Sequence, residues 1–341
     1  MDDGCAPRPA DPIAGWQRAP HVTRPAELLA ILKLDPALPT LAFDRLREFP
    51  LRVPLSFVAR MRKGDPRDPL FLQVWPSALE ARATPGYARD AVGDLASLKP
   101  GGLIHKYRGR ALVIATGACA IHCRYCFRRH FPYGAALAAR GSFRETLAQL
   151  AADPTLEEVI LSGGDPLSLT DDKLAAFVAE LERIPHVRRL RLHTRTAIVL
   201  PQRVDAGLCG WLGRTRLTKA IVVHVNHANE LDGEVAAALA RLRATGATLL
   251  NQSVLLAGVN DDAQTLAALS VRLFELGVLP YYLHLLDRVQ GAGHFEVSET
   301  TARALLKELA ARLPGYLVPR LAREEAGAPA KTLLSWSATN R

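Results

Sequence analysis

The sequence predicts an α/β fold on a parallel sheet, an open or partial (β/α)6 barrel. Three observations predict it. First, from about residue 110 onward six short β-rich runs, at 111–116, 158–162, 189–194, 220–225, 248–255 and 280–286, alternate with helical segments near 143–152, 171–183, 203–213, 233–245, 262–277 and 299–312. Parallel neighbours need a crossover between them, and a regular strand-then-helix order supplies one each time. Second, the residues with chemical potential fall just after strands, where such barrels carry their working groups. Third, 341 residues with 49% apolar content are enough for one large core with an appendage.

The elements follow in order. Residues 1–100 are Pro-rich and mostly helical in pattern, with short helices at 44–49 and 54–63 broken by Pro50 and Pro54, and a loop of turn residues at 61–69. Composition alone shows no chemistry there. Residues 101–313 form the barrel. Residues 314–341 read as a loop-like tail ending in a polar stub. Internal repeats and low-complexity tracts are absent.

The bulk numbers narrow the function classes. No apolar run is long enough to span a membrane, and the acidic start lacks the basic-then-apolar pattern of a signal peptide, so a cytoplasmic protein without a membrane partner is expected. The net charge of +9 fits nucleic acid, anionic small ligands or a solvated Arg-rich surface. The arginines are scattered rather than banked in one run, which favours the last and argues against a nucleic-acid partner. Five cysteines, Cys5, Cys119, Cys123, Cys126 and Cys209, are an odd set for a disulfide framework. Three of them fall within eight residues, and that grouping asks for a metal.

The group reads Cys119-Ala-Ile-His-Cys123-Arg-Tyr-Cys126, just after the first predicted strand. Three thiolates from one loop can hold three irons of a cubane cluster and leave the fourth iron without a protein ligand. A zinc site with His122 or His130 as fourth ligand is the ordinary alternative. The spacing, Tyr125 before the third cysteine, and the place after a strand resemble the radical S-adenosylmethionine (SAM) superfamily. That resemblance implies a [4Fe–4S] cluster on Cys119, Cys123 and Cys126, with SAM on the open iron and Tyr125 beside its adenine. The segment Leu161-Ser162-Gly163-Gly164-Asp165-Pro, about 40 residues on, is similar to the superfamily's element that contacts the methionyl amino group. Its two glycines would permit close backbone approach to a ligand.

The resemblance narrows further. His105-Lys106-Tyr-Arg-Gly-Arg110, the run from Cys123 to Tyr133, His224-Val-Asn-His227, the run from Asn251 to Asp261, and Ala328-Pro-Ala-Lys331-Thr resemble the lysine 2,3-aminomutase family. Phe49-Pro-Leu-Arg-Val-Pro and Gly64-Asp-Pro-Arg-Asp-Pro resemble its short bacterial branch, which makes (R)-β-lysine for elongation factor P. By that resemblance Lys331 carries pyridoxal 5′-phosphate (PLP) covalently and is the catalytic residue. Lys106 and Arg110 match phosphate-contacting positions, and Gln252 and His224 match cofactor-lining ones. Read without the family, these are surface cations and a strand-end histidine. The zinc-binding extension of longer relatives is absent, so no zinc is expected. The match runs from about residue 100 to 334, together with the two N-terminal segments.

The resemblance also assigns a substrate, L-lysine. Arg128 matches the position that binds the substrate carboxylate, where a guanidinium fork suits the geometry. Asp287 matches one carboxylate for the substrate ammonium, and Glu324 falls where relatives usually carry Asp. At an effective dielectric near 20, one such pair at about 4 Å contributes roughly 4 kcal/mol before desolvation. Two carboxylates disfavour glutamate but leave arginine open as a substrate. An external electron donor, an elongation factor P ligase that receives the product, and a homo-oligomer complete the implied partners. An RNA-modifying radical SAM protein would have no use for Lys331 or the Asp287/Glu324 pair, and an iron–sulfur electron carrier would not need the Gly163-Gly164 element or a barrel this large.

Overall fold

A computed structural model describes residues 15–43, 48–137 and 143–336. Cys5 and most of the helix expected at 44–49 lie outside the described residues. The N-terminal region holds β1 (His21–Val22), α1 (Pro25–Leu32), β2 (Val53–Pro54), α2 (Leu55–Val58) and α3 (Pro69–Leu72). The expectation of a mostly helical region is corrected here. Only α1 reaches two turns, and α2 stops at Val58, short of the expected 63. Prolines at 20, 25, 36, 39, 50, 54, 66, 69 and 76 deny backbone donors and restrict the residue before them, so helices stay short. The region is held by packing. Leu28, Phe57, Phe71 and Trp75 form an apolar cluster that also takes in Ala120, Ile121, Val199 and Leu200. It thus seats directly on the cysteine loop.

The main sheet has ten strands in unbroken chain order. Its strands are β3 (Leu98–Lys99), β4 (Leu103–Tyr107), β5 (Arg110–Thr116), β6 (Glu158–Gly163), β7 (Arg189–Thr194), β8 (Thr218–Val223), β9 (Thr248–Val254), β10 (Leu279–His284), β11 (Arg320–Arg323) and β12 (Thr332–Leu333). β5 to β11 are parallel, while β3, β4 and β12 run antiparallel at the two ends. The tail is therefore not loop-like, as the sequence suggested. β11 reads Arg-Leu-Ala-Arg, too short for a periodic signal, and its order comes from pairing with β10.

After β5 come α4 (Tyr133–Ala136) and α5 (Arg144–Ala152). The crossovers then carry α6 (Asp171–Glu182), α7 (Thr196–Val199), α8 (Ala206–Arg214), α9 (Gly233–Ala244), α10 (Ala263–Glu275) and α11 (Glu299–Arg312). Asp205, Asp232, Asp262 and Ser298 cap α8 to α11 by accepting from backbone N–H groups in the first turn. No helix among the described residues is long and apolar enough to cross a membrane.

Period-two alternation divides each strand between two faces. On β6, Val159 and Leu161 join the main apolar core, while Ile160 and Ser162 line a central cavity. On β7, Leu190 and Leu192 are core, while Arg191 and His193 face the cavity. An unreversed parallel order repeats one crossover hand, which keeps the helices on the core side and leaves the other face for a ligand.

Candidate active site

The cavity measures ≈ 690 Å³ and is lined by every cluster, cofactor and substrate residue the resemblance assigned, gathered from β4 to the segment before β12, and by His122 but not His130. That volume is within the range of cofactor and substrate pockets.

The cysteine loop leaves β5 and lies against the N-terminal region. Arg52 Nε donates to the Cys119 carbonyl at 3.0 Å, and the Arg124 N–H donates to the Gln73 carbonyl at 2.9 Å. Glu80, almost wholly buried, takes Arg124 at 2.5 and 2.7 Å and Arg129 at 2.5 Å, two residues that flank Cys126 in sequence. A buried carboxylate between two cations is costly to remove singly. Glu80→Ala is therefore expected to lower stability by about 3–5 kcal/mol, seen as a reduced urea midpoint. Burial pushes the Cys119 thiol well up and the Cys126 thiol up to about 11. Among the described residues, no three His, Cys, Asp or Glu side chains converge tightly enough for a single metal ion.

Gly163 and Gly164 lie directly against the cysteine loop. A Cβ on Gly164 would stand 2.5 Å from the Ala118 carbonyl, and one on Gly163 would stand 2.6 Å from the Thr116 carbonyl. The close approach they permit is to the cysteine loop's own backbone, with the Gly164 N–H donating to Thr116 at 2.6 Å and the Asp165 N–H to Ala118 at 2.8 Å. The Asp165 carboxylate accepts from Leu167 N, Thr194 Oγ1, Arg195 N and Thr196 N, so the fold itself uses it. Ser162 Oγ accepts from Arg128 at 3.1 Å.

Tyr125 sits edge-on to Phe295, and its hydroxyl accepts from Asn226 Nδ2 at 2.7 Å. Gln252 Nε2 lies 3.2 Å from His224 Nε2. Burial, reinforced by Arg195, Arg128 and Lys331, pulls His224 down to about 3. His193 and His284, two cavity residues the sequence did not nominate, are lowered by burial and nearby positive groups in the same way. All three imidazoles line the same cavity as Lys331.

The charged end of the cavity is organised around Asp94. Its carboxylate meets Lys106 Nζ at 2.6 Å and Arg128 Nε at 2.7 Å. Burial alone would raise Asp94, but Arg128 and Lys106 outweigh it and hold it low. Lys106 also donates to the Val92 carbonyl at 2.8 Å, and Arg110 lies 4.6 Å over the Tyr107 ring. Lys331 Nζ forms an ion pair with Glu324, which also accepts from the Tyr107 hydroxyl. Burial would raise Glu324, yet Lys331, Tyr107 and Lys106 hold it below the ordinary range. The Asp287 carbonyl accepts from the Val289 N–H at 2.7 Å, but its carboxylate has no hydrogen-bond partner among the described residues. Burial pushes it up to about 7, against the pull of Lys331 and with the push of Glu324. A cation from outside would find Asp287 free and Glu324 already engaged.

Sequence reasoning missed Gln73, Glu80, Asp94, Arg195, Asn226 and Glu230. Asn226 stands within the quoted His224–His227 segment without having been singled out, and the others lie in no motif. The local signal was position: Arg195 and Asn226 each directly follow a predicted strand.

Comparison with known proteins follows the same direction. L-lysine 2,3-aminomutase of Escherichia coli (strain K12) is 50% identical over 319 residues, 93% of each chain. That of Haemophilus influenzae (strain ATCC 51907 / DSM 11121 / KW20 / Rd) is 51% identical over 285 residues, 84% of each chain. That of Buchnera aphidicola subsp. Baizongia pistaciae (strain Bp) is 42% identical over 315 residues, 92% of this chain and 93% of that one. No family model matches the chain. A solved radical SAM methyltransferase from Sphaerobacter thermophilus aligns at a TM-score of 0.45 with 20% identity, covering 65% of this chain and 68% of that one, a likeness too slight to carry an argument. Half of the residues agree with the Escherichia coli enzyme over nearly the whole of both chains, and this chain belongs to the L-lysine 2,3-aminomutase family.

Proposed function

We propose that the chain moves the α-amino group of L-lysine to C3, giving β-lysine, in a radical SAM partial barrel. The observation that carries this reading is the meeting, in one cavity, of three loop cysteines with Lys331, Arg128, Asp287 and Glu324. The residues fit the cofactors. Cys119, Cys123 and Cys126 are free, half-buried thiols on the cavity wall, and a bound metal would hold them as thiolates. Lys331, Lys106 and Arg110 offer an amine and two cations for PLP. Bound together, the cluster and SAM would supply a 5′-deoxyadenosyl radical, and PLP would hold the migrating nitrogen and spread the odd electron.

The chain's own residues bind, orient and exclude water. Arg128 is held by Asp94 and Ser162, which fixes its plane for a carboxylate. Asp287 and Glu324 would receive the ammonium at the far end of the substrate, a pattern that rejects glutamate. The neutral histidines keep the centre of the cavity free of competing charge. By the same reading, residues 1–100 brace the cysteine loop, 101–313 form the barrel and 314–341 present Lys331. The product would be (R)-β-lysine for an elongation factor P ligase, in the cytoplasm, with electrons from an external donor.

Substitution and pH test the substrate end. Below about pH 7 Asp287 is protonated and cannot pair with an ammonium; above it the carboxylate forms. The KM for lysine is expected to fall as pH rises through that value. Asp287→Asn should raise KM roughly 30-fold or more, the effect of about 2 kcal/mol or above for truncating a buried charge pair, and flatten the pH profile. An unchanged KM would overturn the assignment.

A further inference from the structure

Arg195 follows β7 and points its guanidinium at the cysteine loop. Its backbone N–H donates to Asp165 Oδ2 at 2.7 Å, which fixes the turn. Nη2 donates to Gln73 Oε1 at 2.7 Å and to Glu230 Oε2 at 3.2 Å. Glu230 is fully buried and itself accepts from the Asn226 N–H at 2.9 Å, so it holds its place. Phe57 and Tyr125 lie 5.6 and 5.5 Å from the guanidinium carbon. Nη1 contacts the Tyr125 hydroxyl and donates to Cys123 Sγ at 2.9 Å, while Nε is buried without a hydrogen-bond partner. Among the described residues, no other cysteine sulfur accepts a hydrogen bond from a charged side chain.

The side chain is 6% exposed, so water does little to screen it. A guanidinium keeps its charge in such a place. Its pair with Glu230 is neutral as a whole, but the positive end faces the sulfur. Reduction of a [4Fe–4S] cluster adds one electron, supplied by an external reductant, and the new negative charge spreads onto the sulfurs. Hydrogen bonds to those sulfurs are among the known determinants of cluster potential.

We propose that Arg195 raises the reduction potential of the cluster through its contact with Cys123, easing entry of the electron that starts the reaction. This rests on the reading that Cys119, Cys123 and Cys126 hold a [4Fe–4S] cluster. Arg195 acts through the cysteine, so it is a positioning and tuning residue. Gln73 and Glu230, which aim it, connect the N-terminal region and the loop after β8 to the redox property of the site.

The test is a mediated redox titration of the anaerobically reconstituted full chain without SAM, followed by electron paramagnetic resonance of the reduced cluster. In Arg195→Gln, the ratio of reduced to oxidised cluster at a given potential should fall about tenfold, a midpoint about 59 mV more negative for a one-electron couple. Arg195→Lys, which retains charge, should fall between. An unchanged midpoint in Arg195→Gln overturns the proposal. A second measurement holds even if neither variant assembles a cluster. Wild-type protein labelled with ¹⁵N-arginine should show an arginine nitrogen coupled to the reduced cluster by pulsed resonance, and absence of that coupling overturns the proposal. Absence of any [4Fe–4S] signal in the wild type would instead overturn the cluster reading itself.

Discussion

Lys331→Ala is expected to give folded protein that binds no PLP covalently and forms β-lysine roughly 10⁴-fold more slowly or not at all, the scale on which a tethered group exceeds one free in solution. Folding should survive because β11 and β12 pair through their backbones and Leu334 N–H donates to the Leu321 carbonyl, none of which needs the lysine side chain. The loss should be near complete because the other cavity lysine is a poor substitute. Lys106 Nζ is pinned by Asp94 at 2.6 Å and the Val92 carbonyl at 2.8 Å, so its amine is already engaged. Borohydride trapping and peptide mass analysis check this: wild type should carry PLP on the peptide that contains Lys331. Reduced cofactor on Lys106 instead would move the anchor.

Cys123→Ala is the second large effect. Iron content after anaerobic reconstitution should fall to background, with activity, because the remaining two loop thiols cannot complete the three-iron set. Cys209→Ser is the matched control. Cys209 lies on α8 beside the outer core cluster, remote from the cavity, and its removal should leave iron unchanged. Equal iron loss in both variants would contradict the assignment.

Much of the sheet was legible because its strands carry apolar residues on one face at period two, as at Leu190 and Leu192, and its helices are bounded by Asp and Ser caps. β3 and β4 were not, since Pro100-Gly101-Gly102 between them looks like a plain loop, and Gly101 and Gly102 take positive φ to turn the chain. The N-terminal region was misread for a related reason: its order comes from seating on Ile121 and Val199, which no local pattern discloses.

The site divides the same way. Cysteines at fixed spacing announce themselves. Asp94 does not, for its role arises only when Arg128, 34 residues on, folds against it. Gln73 and Arg195 meet across 122 residues of chain. Gly163 and Gly164 were picked out for close backbone approach, and the nearest protein atoms at both are the cysteine loop's own carbonyls. Glu324 was read as a substrate contact, and in the structure it holds Lys331. Those readings are compatible if an incoming lysine takes over the carboxylate that the resting Lys331 occupies.

The most direct test of the central claim is to incubate the reconstituted enzyme with SAM, PLP, a reductant and a panel of amino acids, and to measure β-amino products. The account predicts β-lysine from L-lysine, dependent on all three additions, and no β-glutamate from glutamate. Failure to form β-lysine, or formation of a β-amino product from glutamate in preference, would contradict it.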